Sequence, residues 1–582
     1  PKMAEWENDV SLNEELFEKI KTVHEHSTQS LSKEQRRLLD RKYFSFVRKG
    51  ALLANEQKIQ LREFDQKIIL LKQQFGQNLL MATNDYKLVI TDPVKLAGLP
   101  ERVVLAAKEQ ANHENIKDAW VFTLKPPSYA PFVEFAEDEK LRKQMWIAYS
   151  SRALNGVYDN TKIILEIVNL RHKRAVLLGH KNHAEYVLED RMAKTPDTVY
   201  SFFNTLQKVA KPRAEEDIKQ LQQYKAKIQG GDEIKPWDIA FFSEKLLKEE
   251  YAYDSEEVRA YFSVDRVLGG AFDHAYRLYG ITAKLRSDIP VYHPDMTVYE
   301  IFDADEKSLG IVYFDLYPRD SKRGGGWIDA LRMQCTDNGV DIRPHMLIVC
   351  NLTKPVGGTP GLLNEFEART LFHEFGHALH CLFSRCTYRS LAGFNTLWDF
   401  VELPSQLMDT FLTHPISIKL VAQHYETGQE ITDEMITKII SAKKFQAGMK
   451  ILSQLGLAYI DMKWHDGSMS NVVNIESFEE EVKRDYRVVA PYPGTAQSTS
   501  FKHIFDGEYD VGYYSYHWSE VLAADAFEYF KEDGLFSKNI GLKFRNEILS
   551  KGNTEEPDIL YRNFRGKDAD PNALLRKAGL IV

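Results

Sequence analysis

The segment Leu371–His380, LFHEFGHALH, decides how this chain is read: it sets His373 and His377 four residues apart with Glu374 between them. Upstream, Asn364 followed three residues later by Glu367 is a capping-box signature. The spacing therefore predicts a helix from about Glu365 to Phe383. Residues four apart on a helix share a face, so the two imidazoles can meet at one point about 2 Å from each nitrogen, as zinc requires. Glu374 lies beside that point, placed to take a proton from an activated water. The bland alternative is a pair of surface or packed histidines.

A catalytic zinc needs a third protein ligand and one open position. The longer H-E-x-x-H-x-x-G-x-x-H pattern would supply a third histidine, but here position 380 is His and position 383 is Phe. That version is excluded, and His380 reads as a packing or outer-shell residue. The ligand must come from a neighbouring helix. Between Ala378 and Thr410 the carboxylates are Asp399, Glu402 and Asp409. Glu402 lies in WDFVELPSQL, where Pro404 suits the first turn of a new helix. Asp399 could buttress a ligand histidine or cap that helix.

The rest of the chain narrows the class. Its 582 residues allow two or more core-forming units, or one large fold with intertwined lobes. A net charge of -9 is small for the size and no basic tract stands out, so nucleic acid is not an expected partner. Apolar runs such as MLIVC and IILLK are far too short to span a bilayer. Four cysteines without a paired pattern read as free thiols of a reducing compartment. No G-x-S-x-G elbow or P-loop supports serine hydrolase or nucleotide chemistry. The opening PKMAEW lacks an initiator methionine and an apolar signal region, and a processed or truncated form is expected.

The chain begins with long helices. Ser32 and Gln35 make a capping box for a helix that stops at Gly50, and a second helix from Asn55 carries Leu61, Phe64, Ile68, Leu71 and Phe75 on one stripe. Ile228–Asp238 reads as a loop. VYEIFDADEKSLGIVYFDLY reads as a hairpin, HMLIVCNL as a third strand, and KRGGGW (Lys322–Trp327) as a glycine loop between them. The fold class is mainly α, α+β with a small antiparallel sheet.

TLFHEFGHALH followed by DFVELPSQ resembles the M3 metallopeptidases, the thimet oligopeptidase and neurolysin family. PWDIAFFSEK, FKHIFDGEYDVGYYSYHWSEV and YRNFRGKDADPNALLRKAGL resemble family segments in family order, and VCNLTKP, GFNTLWDFVELPSQ and GYYSY resemble above all the bacterial dipeptidyl carboxypeptidase branch. The resemblance implies two largely helical lobes flanking a deep central channel, residues 1–230 forming a helical channel wall and 231–582 the zinc-bearing region, with a further stretch of family sequence ahead of residue 1. It implies one Zn²⁺ per chain, held by His373, His377 and Glu402, with Glu374 as general base. It sets HIFDGEYDVGYYSY over the zinc, giving His503, Tyr513 and Tyr516 catalytic roles and Tyr509, Tyr513 and Tyr516 substrate contacts. Gly507-Glu508 stands where the family often has Gly-Gly, and His503 lies one residue further from Tyr509 than in thimet oligopeptidase.

The function so implied is a zinc peptidase releasing C-terminal dipeptides from short peptides. The alternative is an oligopeptidase cutting internal bonds, and a remote one is a non-catalytic peptide-binding protein. An edge strand at LIVCNL would pair with the substrate backbone. Dipeptide release also needs a cation for the terminal carboxylate, which the sequence does not single out. A cytoplasmic monomer is expected, with the periplasm as the alternative location and no membrane contact.

Overall fold

The computed structural model describes residues 2–26, 31–468 and 472–581. Its helices start where the sequence supplies caps. Ser32 accepts from the Gln35 N–H to open Lys33–Arg48, and Asn364 accepts from the Glu367 N–H to open Glu365–Leu382, hereafter the histidine helix. Each capping box satisfies N–H groups that a helix start leaves unpaired. In the helix Asn55–Asp85 the stripe Leu61, Leu71 and Phe75 is buried, with Phe64 and Ile68 packed against the same core.

The nine short strands among the described residues are β1 (Lys87–Ile90), β2 (Trp120–Thr123), β3 (Thr282–Leu285), β4 (Thr297–Phe302), β5 (Ser308–Asp315), β6 (Trp327–Arg332), β7 (Cys335–Asp337), β8 (Val340–Ile342) and β9 (His345–Val349). The main sheet has the order β3-β4-β5-β9-β6. The expected hairpin is β4–β5, with Tyr299 opposite Val312. β9 pairs in parallel with β5, Val312 opposite Met346, and antiparallel with β6, Ile348 opposite Ile328. One expectation needs correction here. The LIVCNL strand is internal to the sheet, because both of its sides are already hydrogen-bonded; the edge beside the histidine helix is β6. β6 grows directly out of the glycine loop.

Two large cores hold the molecule. One joins the sheet, the histidine helix and the C-terminal helices, with Val312, Phe314, Ile348, Leu371, Phe372 and Phe375 essentially inaccessible. Each such side chain contributes about 1.5–3 kcal/mol of burial free energy. The other core draws on both sides of residue 230, packing Phe75, Ile164, Phe203 and Leu206 against Leu455, Trp464 and Tyr514. The cysteines Cys335, Cys350, Cys381 and Cys386 are free and buried.

Candidate active site

The histidine helix packs against the helix Leu403–Phe411, and the closeness of that crossing is set by one residue. A Cβ on Gly376 would lie 2.6 Å from the Pro404 carbonyl oxygen and 2.6 Å from the Ser405 Cα. Glycine between the two histidines is therefore what lets the second helix come near enough to deliver Glu402, its N-cap residue. Nε2 of His373 is 3.0 Å and Nε2 of His377 3.1 Å from the same oxygen, Glu402 Oε2. The three donors lie within 4.8 Å of one another. Two ligands at 2.0–2.1 Å from a tetrahedral ion stand about 3.3 Å apart, so the set fits a zinc ion. Burial alone would raise the Glu402 pKa. The His377 and His373 imidazoles outweigh it and hold the carboxyl well below its usual range, in the ionised form a ligand needs. Glu374 is buried beside the three donors, and its pKa is pushed up by that burial and pulled back by the two imidazoles.

The loop that closes over these residues is fixed from below. Asp461 accepts from the backbone N–H groups of Val511, Gly512 and Tyr513 at 2.8–3.0 Å. Asp510 meets His183 Nε2 at 2.7 Å and Arg171 at 3.2 Å. The extra carboxylate at Glu508 thus sits in a loop anchored to buried partners two residues later. Tyr509 donates to Glu402 Oε1 at 2.5 Å and Ser405 donates to Oε2 at 2.9 Å, so both carboxylate oxygens are oriented. Tyr516 stacks on Tyr509 with ring centroids 5.1 Å apart, and Tyr513 donates to Gln454 at 3.1 Å. The His503 ring lies 5.3 Å from Tyr513 and 6.2 Å from Tyr516. Burial, with Lys502 adding, pushes the His503 pKa down to about 4, so its imidazole is neutral at physiological pH. A cavity of about 1470 Å³ opens onto this loop, lined among others by His503, Tyr513, Gly325, Asn351 and Phe366.

Comparison with known proteins resolves what this arrangement belongs to. The model of Peptidase family M3 matches residues 132–580. The chain belongs to peptidase family M3. It is 36% identical over 591 residues to "Oligopeptidase A" of Escherichia coli, covering all of this chain and 86% of that protein. It is 37% identical over 585 residues to "Dipeptidyl carboxypeptidase" of Escherichia coli, again with all of this chain and 86% of the relative covered. The solved structure "PZ peptidase A with inhibitor 2" shares the fold at a TM-score of 0.60 and 14% identity, over 99% of this chain and 85% of that one. The protein is accordingly a metallopeptidase.

In this M3 peptidase the outer shell differs from the sequence reading. Asp399 neither supports a ligand histidine nor caps the Glu402 helix. It is fully buried, accepting from the Met192 and Ala193 N–H groups and the Tyr514 hydroxyl. The carboxylate behind His373 is Asp409, 3.3 Å from Nδ1 and itself held by Arg369 at 2.7 Å. Its position in the sequence, seven residues or two turns after Glu402, could have signalled that role. His380 is packed away with neither ring nitrogen bonded to a described residue. The Tyr509 hydroxyl, expected on substrate, is engaged on Glu402. Gly326 had no signal at all: a Cβ there would stand 2.9 Å from Glu374 Oε1. The absent side chain lets the start of β6 run past the carboxylate.

An outer-shell acceptor fixes the tautomer and direction of its imidazole, and its loss costs about 10–100-fold in metal affinity. Asp409→Asn is expected to weaken metal binding by that factor, whereas Asp399→Asn lowers thermal stability and leaves the affinity within a few-fold. Competitive titration with a zinc chelator measures both.

Proposed function

We propose that this M3 peptidase is a zinc enzyme that releases dipeptides from the free C-termini of short peptides. The convergence of His373, His377 and Glu402, with the buried Glu374 beside them, is the observation that carries the peptidase chemistry. When bound at such a set, zinc supplies a Lewis acid and acidifies a coordinated water to a pKa of about 7. The Glu374 carboxylate accepts a proton from the attacking water and delivers it to the amide nitrogen as the C–N bond breaks. General acid–base transfer of this kind contributes about 10²–10⁴-fold. Tyr516 and the neutral His503 face the same space and donate toward the carbonyl oxygen as it gains charge, with Tyr513 holding their ring cluster together. Tyr509 keeps Glu402 directed. The free edge of β6 holds the peptide main chain as an added antiparallel strand. Buried free cysteines support a reducing compartment, the cytoplasm.

Tyr516→Phe is expected to lower kcat by roughly 100-fold with a small change in KM, since a donor aimed at the oxyanion acts in the transition state. Steady-state kinetics on one short peptide decide this; an effect confined to KM would reduce Tyr516 to a substrate contact.

Likeness to both an oligopeptidase and a dipeptidyl carboxypeptidase keeps cleavage at internal bonds as the second reading. Mass spectrometry of the products from a free-acid peptide and its C-terminal amide separates the two. Dipeptide release from the acid, with little cleavage of the amide, is the expected result. Equal cleavage at internal bonds would leave the zinc chemistry standing and favour the oligopeptidase.

A further inference from the structure

The two-residue reach from the scissile bond to the end of a departing dipeptide can be laid along β6. An added antiparallel strand runs opposite to Trp327–Arg332, so its C-terminus points toward the start of β6 and the glycine loop. Gly326 is the residue beside Glu374, where the scissile carbonyl must lie. Two extended residues span about 7 Å, which carries the terminal carboxylate back to the level of Gly324 and Arg323.

Positive charge gathers there. Lys502 donates to the Gly324 carbonyl oxygen, and a Cβ on Gly325 would lie 3.0 Å from its Nζ. Arg323 and Lys502 both stand 5.7 Å from the centroid of the Trp327 ring. Arg152 lines the same cavity, stacked on Tyr149, and has no carboxylate partner among the described residues. Against these three cations the one carboxylate in contact among the described residues is Asp506, 3.1 Å from Arg323. Burial and the neighbouring Arg323 push the Lys502 pKa down to about 8, which still leaves an ammonium at neutral pH. The remaining cation of the loop, Lys322, is already held by Asp315 and the Tyr317 carbonyl. A cluster carrying more positive than negative charge, on the wall of this cavity, is short of one anion.

We infer that Lys502 and Arg323, with Arg152 behind them, bind the C-terminal carboxylate of the substrate and so set the two-residue ruler; this rests on the dipeptide-release reading above. The ligand class is a free peptide carboxylate two residues beyond the cleaved bond.

The test measures kcat/KM for one free-acid hexapeptide and its C-terminal amide, on the zinc-loaded full chain. The wild type, Lys502→Met, Arg323→Gln, the double variant and Lys502→Arg are compared. A hydrogen bond to a charged group corresponds to about 10–100-fold. Each single neutral variant is expected to lower the acid-to-amide ratio about 10-fold or more, the double variant about 100-fold, mainly through KM on the acid. Lys502→Arg keeps most of the preference, and zinc content is unchanged throughout. A wild type that strongly prefers the acid, with neutral variants that keep the preference, overturns the inference and leaves dipeptide release intact. A wild type with no preference overturns dipeptide release itself and the carboxylate site with it.

Discussion

Glu374→Gln is expected to retain its metal and lose hydrolysis by at least 10³-fold, beyond the middle of the range for removing a general base. The substitution keeps the size of the side chain and removes its basicity. Glu374 makes no ion pair among the described residues; its carboxylate lies near the His373 and His377 imidazoles and Gly326. The folded state should therefore tolerate the amide, and melting temperature should move little. Steady-state kinetics and metal analysis of the same preparation check it. Collapse of the metal content would make Glu374 a ligand and remove it as the base.

Glu402→Ala has the second large effect, of another kind. Glu402 Oε2 is the atom on which both histidines converge, and the residue is 1% exposed. Its loss leaves a two-ligand site, so metal affinity should fall well beyond the 10–100-fold of an outer-shell change. Activity at ordinary zinc concentrations falls with it. The same change strips Tyr509 of its carboxylate acceptor, at about 1–3 kcal/mol for a buried group left unpaired, while the Ser405 hydroxyl keeps the backbone carbonyl of residue 402. Glu402→Ala should thus melt earlier than Glu374→Gln. The order of the two melting curves checks whether Glu402 holds the tyrosine loop as well as the metal.

Elements whose signal is local were legible in the sequence. The capping boxes at Ser32 and Asn364 and the β4–β5 hairpin announce themselves within a few residues, and the structure has them where the spacing puts them. The edge strands were not legible. Thr282–Leu285 and Trp327–Arg332 contain no fully buried residue; Ala283, Ile328 and Ala330 are only half-buried against the core, and so few apolar residues give a weak alternation to read. Missing β6 is what placed the sheet edge one strand too far in. At the site, His373, Glu374 and His377 follow from helical geometry alone. The partnership of Asp409 with His373, and the displacement of Asp399 onto the Met192–Ala193 backbone, depend on how distant helices pack. Gly376 and Gly326 matter for side chains they lack, and only the approach of a second element gives that meaning.

The central claim is that His373, His377 and Glu402 hold a zinc ion which Glu374 serves without binding. Metal content by mass spectrometry, measured side by side on purified wild type, Glu374→Gln and Glu402→Ala together with hydrolysis of one peptide, tests it most directly. The account predicts one zinc per chain in an active wild type, one zinc in an inactive Glu374→Gln, and neither zinc nor activity in Glu402→Ala. A metal-free wild type that still hydrolyses the peptide, or a Glu402→Ala chain that keeps its zinc, would contradict it.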